Sequence, residues 1–595
     1  MTDLKRLYRD YEKIWCNVVF PLILLVYPLV LVNQGIDVSD STYSLTNFRY
    51  FREMEGMWVV STYLANLGGW LLTCLPFGKT LLGMNIYTGL LVSATVLMVY
   101  GQLRKWMPAW IIFAGEMVAI GFLWIPTTIL YNYLTYFLFA LGTILLYKGL
   151  VEEKNGCLIA SGAVLGLNVF VRIPNITEMA LILGLWYYLT ALGKPFSLIA
   201  RKTGLCILGY VLGLVLPLGM VVFQYGFSGL TEAIAGLAAI QSTDASYSPF
   251  AMVASIVQAY FKSGKWLVIL GIPTAFGMGM FAFKKGQYER GKKILFLIGI
   301  LVILRFLWGR GMFSFRYYED YSSMYEWGMM GLFLAWIAAA YMVGSAKTSA
   351  EEKLMAVFTI VILGITPLGS NNYTYQNLNN LFLVAPFTLY TFVKVYRYRK
   401  GNSPVSGLAF PWKAMVAVVG AMILLQSTGF HLQFTFRDGM DGTPRNATFS
   451  APGTLAGMST TWENAENIGS LHSWLEGNGF TQEGTESGKT EVILYGDCPG
   501  LSFLYEIPFA IGTAWPDLDS YPYDSFVREL EGREPPGSEK RQETLVILRK
   551  QEPSSEQGRE KKEYLLEWME RNSYSCRYEN KEYAVYLQEE MEKND

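Results

Sequence analysis

Two carboxylates, Asp37 and Asp40, stand three residues apart in the stretch Gly35–Leu45, just beyond an apolar run from Val18 to Val32. A carboxylate held against apolar surface keeps its proton more tightly than one in water, so it can act as a general base near neutral pH. Two acids at this spacing could also share a divalent cation, Mg or Mn, through Asp37 and Asp40. A plainer reading competes with both. Aspartates placed before a helix, here one beginning near Thr42, cap its free N–H groups. Spacing alone favours the cap.

Other residue types suit other tasks. Arginine offers permanent charge and bidentate hydrogen bonds to phosphate, which makes Arg172, in Val171-Arg172-Ile173-Pro174-Asn175, the leading phosphate candidate. Its alternative is snorkelling to lipid headgroups. Arg310 and Arg316 compete for the same task, with Lys262 and Lys265 behind them. Between Phe313 and Tyr325 aromatic rings surround Glu319 and Asp320. Such rings stack on sugar faces and such acids bind hydroxyls, but an interfacial aromatic belt explains the rings as well. Asn371, Asn372 and Asn377 supply donors and acceptors for a sugar, or simply hydrate a loop. Only two histidines exist, His431 and His472, so a histidine-based triad or metal cage within the apolar part is excluded. No cysteine pair has the spacing of a zinc or redox site. Cys498 and Cys576 could form a disulfide in an oxidising compartment. Glu116 and Arg305 lie within apolar runs and read as members of structural ion pairs.

These residues need elements to position them. The chain of 595 residues is 52% hydrophobic and 16% charged, and the charge is unevenly spread. Up to Phe430 it comes in short clusters between apolar runs; from His431 onward the composition turns polar. That pattern predicts two regimes in two solvents, 1–430 in a membrane and 431–595 in water. A formal net charge of −1 gives no electrostatic case for nucleic acid. Runs of spanning length, roughly 17–25 residues, fall near 15–33, 80–102, 107–125, 127–149, 156–172, 174–192, 203–224, 265–284, 291–308, 327–346, 353–369, 377–396 and 412–430. The fold class expected is therefore mainly α: a polytopic bundle of about thirteen transmembrane helices.

Met57–Pro76 decides the orientation. Taken as an interfacial segment rather than a span, it leaves a first external loop at 34–79. Lys and Arg then gather on one side, at Arg104/Lys105, Lys148/Lys154, Lys194/Arg201/Lys202, Lys284–Lys293, Lys347/Lys353 and Lys394–Lys400. By the positive-inside rule that side is cytoplasmic, with the N-terminus, and the Asp37–Asp40 loop lies outside together with 431–595. The outer loops, the longest internal one at 228–264, carry the aromatic, asparagine and arginine residues named above. In the C-terminal part, helices at Glu463–Gly477, Gly500–Ile507, Asp524–Glu531 (capped by Asp524) and Glu563–Arg571 alternate with strands at Glu491–Tyr495 and Thr544–Leu548. A hairpin follows at Cys576–Leu587. The expectation is a small α/β layer. Gly496–Gly500 reads as an ordinary strand-to-helix turn, Gln551–Lys562 as a solvated loop, and Ala514–Asp519 as a segment that could lie over the membrane loops.

A first span, an exposed Asp40, then Tyr43-Ser44-Leu45 and a short helix ending Phe48-Arg49-Tyr50-Phe51 resemble the GT-C superfamily of polytopic glycosyltransferases. Protein mannosyltransferases and lipid A aminoarabinose transferases are examples. Tyr131-Asn132-Tyr133-Leu134-Thr135 looks like a Tyr-Asn segment of that superfamily, and Val171–Asn175 like its Arg-x-Pro turn. The resemblance covers the whole chain in layout but only short motifs in sequence. Many members carry Asp-Glu where this chain has Asp40-Ser41, which weakens a two-acid metal site. The resemblance implies transfer of a sugar from a polyprenyl-phosphate donor to a glycan, lipid or protein acceptor at the outer face of the plasma membrane. Asp40, with Asp37, would be catalytic, and Arg172, Arg310 or Arg316 would hold the donor phosphate. Tyr43, Tyr131, Asn132, Glu319, Asp320, Asn371 and Asn372 would bind substrate. The alternatives are a transporter or flippase, which calls for charges inside several spans and paired broken helices, and a polysaccharide polymerase or ligase.

Overall fold

A computed structural model describes residues 11–54, 58–124, 130–243, 249–282, 288–317, 322–369, 372–402, 412–481, 490–533, 543–553 and 555–589. Helices fall where the apolar runs predict them, because a run with no polar face buries its backbone groups best by bonding them within itself. Among the described residues five are long and apolar enough to cross a membrane: Glu12–Leu29, Leu81–Leu103, Leu130–Val151, Phe196–Leu237 and Ser322–Gly344. Shorter apolar helices run at Ala109–Gly121, Asn155–Val169 and Val384–Val395. The segment Met57–Pro76 yields only Trp58–Ser61 and Tyr63–Thr73. At about 1.5 Å per residue neither could cross a bilayer core.

Several boundaries differ from expectation. The run 174–192 begins as a 3₁₀ stretch, Ile173–Leu181, before the α-helix Ile182–Ala191. The long loop expected at 228–264 is largely helical, since helix runs on to Thr243 beyond a break at Gly226 and resumes at Pro249–Ala282. Hydrophobic residues continue through both segments, so Glu232 and Gln241 are carried on helix instead, while Asp244 and Tyr247 lie outside the described residues.

The C-terminal part builds around four strands: β3 (Thr490–Tyr495), β4 (Glu543–Arg549), β5 (Tyr574–Glu579) and β6 (Tyr583–Gln588), after the two-residue pair β1 (Ala447–Thr448) and β2 (Ser459–Thr460). The sheet order is β3-β4-β6-β5, with β3 and β4 parallel, Val492 opposite Leu545, and the other pairs antiparallel. Alternate residues of a strand face opposite sides. Val492, Leu494, Leu545 and Ile547 therefore pack with Ile468, Leu471 and Leu475 of helix Trp462–Gly477. Ile493, Tyr495, Val546 and Leu548 pack with Phe526, Leu565 and Trp568 on the other side. Both faces are covered, as the near-continuous apolar runs of β3 and β4 require.

Three local expectations are corrected. Asp524 does not cap its helix but lies in the first turn of Tyr523–Glu531, behind Pro522. The supposed loop 551–562 turns helical at Glu556, capped by Ser555. Cys498 and Cys576 do not pair: Cys498 is buried, Cys576 exposed on an edge strand, and both are free.

The first side of the sheet continues into the apolar helices. Ile36, Val38, Leu45, Phe48, Leu81, Met84 and Leu130 belong to the same hydrophobic cluster as Val492 and Leu494. The loop expected to stand between bilayer and water is thus packed between the starts of helices Leu81–Leu103 and Leu130–Val151 and the C-terminal sheet.

Candidate active site at the loop and sheet junction

Helix Asp40–Arg49 is the centre of this junction. Its sequence, Asp-Ser-Thr-Tyr-Ser-Leu-Thr-Asn-Phe-Arg, is poor in strong helix formers. What holds it is packing and capping. Seven of its ten residues are buried, and Asp37 serves its N-terminus. Asp37 Oδ1 accepts from Ser39 N at 2.9 Å and from the Ser39 hydroxyl, and Oδ2 accepts from Ser41 N at 2.8 Å. Thr42 Oγ1 donates to the Asp37 carbonyl at 2.7 Å. The cap, which spacing alone favours, is thus the role Asp37 fills. With both oxygens so engaged, Asp37 is a poor partner for Asp40 around a cation. Among the described residues no three acidic, histidine or cysteine groups are arranged to hold a metal ion.

The C-terminal part presses on this helix. Gly500 N donates to Val38 O at 2.8 Å, and Thr46 Oγ1 to Pro499 O at 3.2 Å. A Cβ on Gly500 would stand 1.7 Å from Thr42 Oγ1, so only glycine permits this approach. Ile36 N donates to the buried Asp438 at 2.9 Å, and Arg49 pairs with Glu506 at 2.5 Å.

Asp40 is in the first turn, free of the capping task. Its side chain keeps 40% of its surface open, in a recess shared with Arg437 and Asp497. Arg437 Nη2 lies 3.7 Å from Asp40 Oδ2, while Nη1 pairs with Asp497 Oδ2 and donates to Ser39 Oγ at 2.7 Å. One guanidinium therefore serves two carboxylates and a hydroxyl. Loss of hydration in the recess pushes the Asp40 carboxyl up to about 7; Asp37 adds to this, Arg437 opposes it, and Asp497 adds again. Asp497 is also raised, by burial first, against Arg437. Behind it Asp497 N donates to Asp517 Oδ2 at 2.8 Å, and burial raises the Asp517 carboxyl to about 6.

Neither Arg437 nor Asp497 was selected for a role at sequence level. Both occupy left-handed backbone, with φ of 56° and 63°, which is uncommon outside glycine and marks built turns. The available signals were Arg437-Asp438-Gly439, where the chain leaves its last apolar run, and Gly496-Asp497 after a strand. Each looks like ordinary turn chemistry until the fold joins them.

The other candidates distribute unevenly. Tyr43 packs edge-on against Trp58 at 6.0 Å and Trp515 at 5.2 Å, so the Ala514–Asp519 segment lies against the site helix. Burial pushes the Tyr43 phenol up to about 12, with Tyr131 close enough to add to the effect. Asn132 follows Tyr131 on the first turn of helix Leu130–Val151. Arg172 donates to the Gly369 carbonyl at 2.8 Å and lies within electrostatic reach of Tyr136 and Glu178. No hydrogen bond or ion pair reported among the described residues joins it to Asp40. Arg310 is exposed and sits over Phe306 of its own helix at 5.4 Å, and Arg316 is exposed. Asn372 is exposed, whereas Asn377 is buried and donates to Leu363 O at 3.2 Å. Glu319, Asp320 and Asn371 lie outside the described residues.

No protein-family model matches the chain, and neither does any curated protein. Solved structures do. The Archaeoglobus fulgidus oligosaccharyltransferase in complex with Zn and sulfate is 11% identical at a TM-score of 0.45, over 89% of this chain and 67% of that one. The same enzyme tethered to an acceptor peptide containing the NVT sequon is 11% identical at 0.42, over 91% and 69%. ArnT from Cupriavidus metallidurans bound to undecaprenyl phosphate is 13% identical at 0.43, over 96% and 97%.

Proposed function

We propose that the chain is a multi-pass membrane glycosyltransferase that moves a sugar from a polyprenyl-phosphate-linked donor to a glycan, lipid or protein acceptor at the outer face of the plasma membrane. In this reading about thirteen spans occupy 1–430, the N-terminus is cytoplasmic, and 431–595 lies outside. The observation that carries the reading is the junction itself. A carboxylate not used for capping, Asp40, stands in an open recess beside Arg437, where apolar helices meet the C-terminal sheet.

The chemistry follows from the residue types. Asp40 takes the proton of an acceptor hydroxyl as the acceptor oxygen bonds to the sugar carbon. The bond from that carbon to the phosphate oxygen breaks, and the phosphate leaves with the electron pair. It needs no proton, so one base suffices. An Asp40 carboxyl near 7 is well matched to this task, because a base works best when its proton affinity lies near the working pH. Arg437 keeps 40% of its side-chain surface open and is the arginine best placed to meet the departing phosphate. Arg172, Arg310 and Arg316 remain proposed for the donor farther along its path, and Tyr43, Tyr131, Asn132 and Asn372 for the sugar. Asp37 orients the helix. No step is routed through a metal.

The test is turnover of polyprenyl-phosphate sugar by purified protein in nanodiscs. Asp40→Asn should lower release of polyprenyl phosphate by about 10²-fold or more with a thermal midpoint no lower than wild type. Turnover equal to wild type would remove Asp40 from the reaction. Movement of the labelled donor across sealed vesicles without transfer would favour a flippase.

A further inference from the structure

Lys561 takes no part in the chemistry above, yet its surroundings are unusual. Its side chain is fully buried in helix Glu556–Arg571 of the C-terminal part. A buried ammonium is costly unless its protons find acceptors. Here Nζ donates to the carbonyls of Pro516 at 2.9 Å and Leu518 at 2.7 Å, and lies 5.6 Å from the centre of the Tyr521 ring. The titratable groups that act on it are Asp517 and Asp519. Both acceptors belong to one loop. That loop carries Trp515, which meets Tyr43 of the site helix, and Asp517, which accepts from the backbone N–H of Asp497. Asp497 in turn holds Arg437, 3.7 Å from Asp40.

We infer that Lys561 is a positioning residue for the Asp40 recess: it fixes the Pro516–Leu518 backbone so that Trp515 closes on Tyr43 and Asp517 sets the Asp497 turn. The inference deepens the proposed function at the same site. A sheet needs no fully buried ammonium for its own stability, since a methionine of similar length fills such a space without a charge to satisfy. The placement is explained by what the two carbonyls carry. Glu529 holds the start of the same segment by accepting from Gly512 N at 2.6 Å, so the loop is tied at two points and faces the site between them.

Hydrogen exchange on the full-length protein in nanodiscs tests the inference without any assay of transfer. In Lys561→Met, amide exchange should rise about tenfold or more in both 511–521 and 37–46, while β4 and β6 keep wild-type protection. Faster exchange in 511–521 alone would overturn the inference, since Lys561 would then hold only its own loop. If Lys561→Met unfolds the sheet, Trp515→Ala decides instead. It leaves the ammonium and its carbonyls in place and should loosen 37–46 by itself; wild-type exchange there would overturn the inference. The pH profile of transfer supplies a second readout. Asp37, Arg437 and Asp497 are the charged groups that act on Asp40, and lost hydration is the largest cause of its raised proton affinity. Releasing the loop admits water, so the midpoint of the acidic limb should fall below its wild-type position in Lys561→Met. An unmoved midpoint with lower amplitude would mark Lys561 as structural only. Absence of any limb near 7 in the wild type would count against Asp40 as base and leave the exchange result to judge Lys561.

Discussion

Two polar clusters in this molecule look alike in composition and differ in kind. Around Asp40, one arginine serves Asp40, Asp497 and Ser39, and the central carboxylate is open to solvent on one side. Around Arg172, the polar groups pair with one another. Asn168 donates to both oxygens of Glu178 at 2.9 Å and to Thr135 O at 3.1 Å, while Asn175 donates to Thr135 Oγ1 and Asn168 O at 2.9 Å each. Asn168, Asn175 and Glu178 are buried. The second cluster is a fastening between helix Leu130–Val151, helix Asn155–Val169 and the 3₁₀ stretch Ile173–Leu181. The first has too many carboxylates for its cation and a free approach. Access to solvent, rather than the mere gathering of polar side chains, distinguishes the two.

That contrast can be broken or sharpened by substitution. After Asp40→Asn, the largest effect is expected at Arg437. Arg437→Ala should lower transfer by about 10²-fold and move the acidic midpoint of the pH profile above 7, because the guanidinium that opposes protonation of Asp40 is gone. Arg310→Ala, measured beside it, should cost less, because Arg310 is proposed to meet the donor farther along its path. The linkage sign for Asp40 is fixed by its raised proton affinity. Its contribution to stability is fully present below the ordinary carboxylate range and is lost as pH rises through about 7, so activity and this contribution run in opposite directions. Equilibrium unfolding of wild type and Asp40→Asn across pH 4–8 would show it.

The next effect belongs to the fastening. Asn168→Ala leaves Glu178 buried without its donor and should cost about 1–3 kcal/mol of stability, with turnover per folded molecule changed less than about threefold. A loss of turnover with unchanged stability would instead assign that cluster to the reaction. Smaller again, Asp37→Ala removes the cap of the site helix and should cost about 1–2 kcal/mol, read as a lower denaturation midpoint. The smallest effect is none: reducing agent should leave the thermal midpoint unchanged, because Cys498 and Cys576 are free.

Much of this was legible in the sequence, for particular reasons. Apolar runs dictate helices wherever the backbone must satisfy itself, and β3 and β4 announce themselves by residues buried on both faces. Asp37 reads as a cap by spacing and as a catalytic partner by resemblance, and in the structure its oxygens accept from the N-terminal N–H groups of the site helix. What could not be read was convergence. Arg437 and Asp497 lie 397 and 457 positions beyond Asp40 in the numbering, and nothing local says that their two turns face the same helix. Arg172 shows the opposite case, a residue whose type is legible but whose surroundings are not. Its chemistry suits phosphate, but its own neighbours supply a carbonyl for it at Gly369.

Ile36 and Asp438, which hydrogen-bond at the junction, are 402 residues apart. A ribosome adding about 5–20 residues per second leaves the first loop without its partners for roughly 20–80 s. Through that interval Ile36, Val38, Leu45 and Phe48 have no sheet to cover them, and the order of synthesis rather than the final contact map decides what they meet. The recess around Asp40 cannot exist until the last third of the chain has folded back onto the first tenth. Fragments that stop short of β3 therefore carry the carboxylate without its arginine-bound partner.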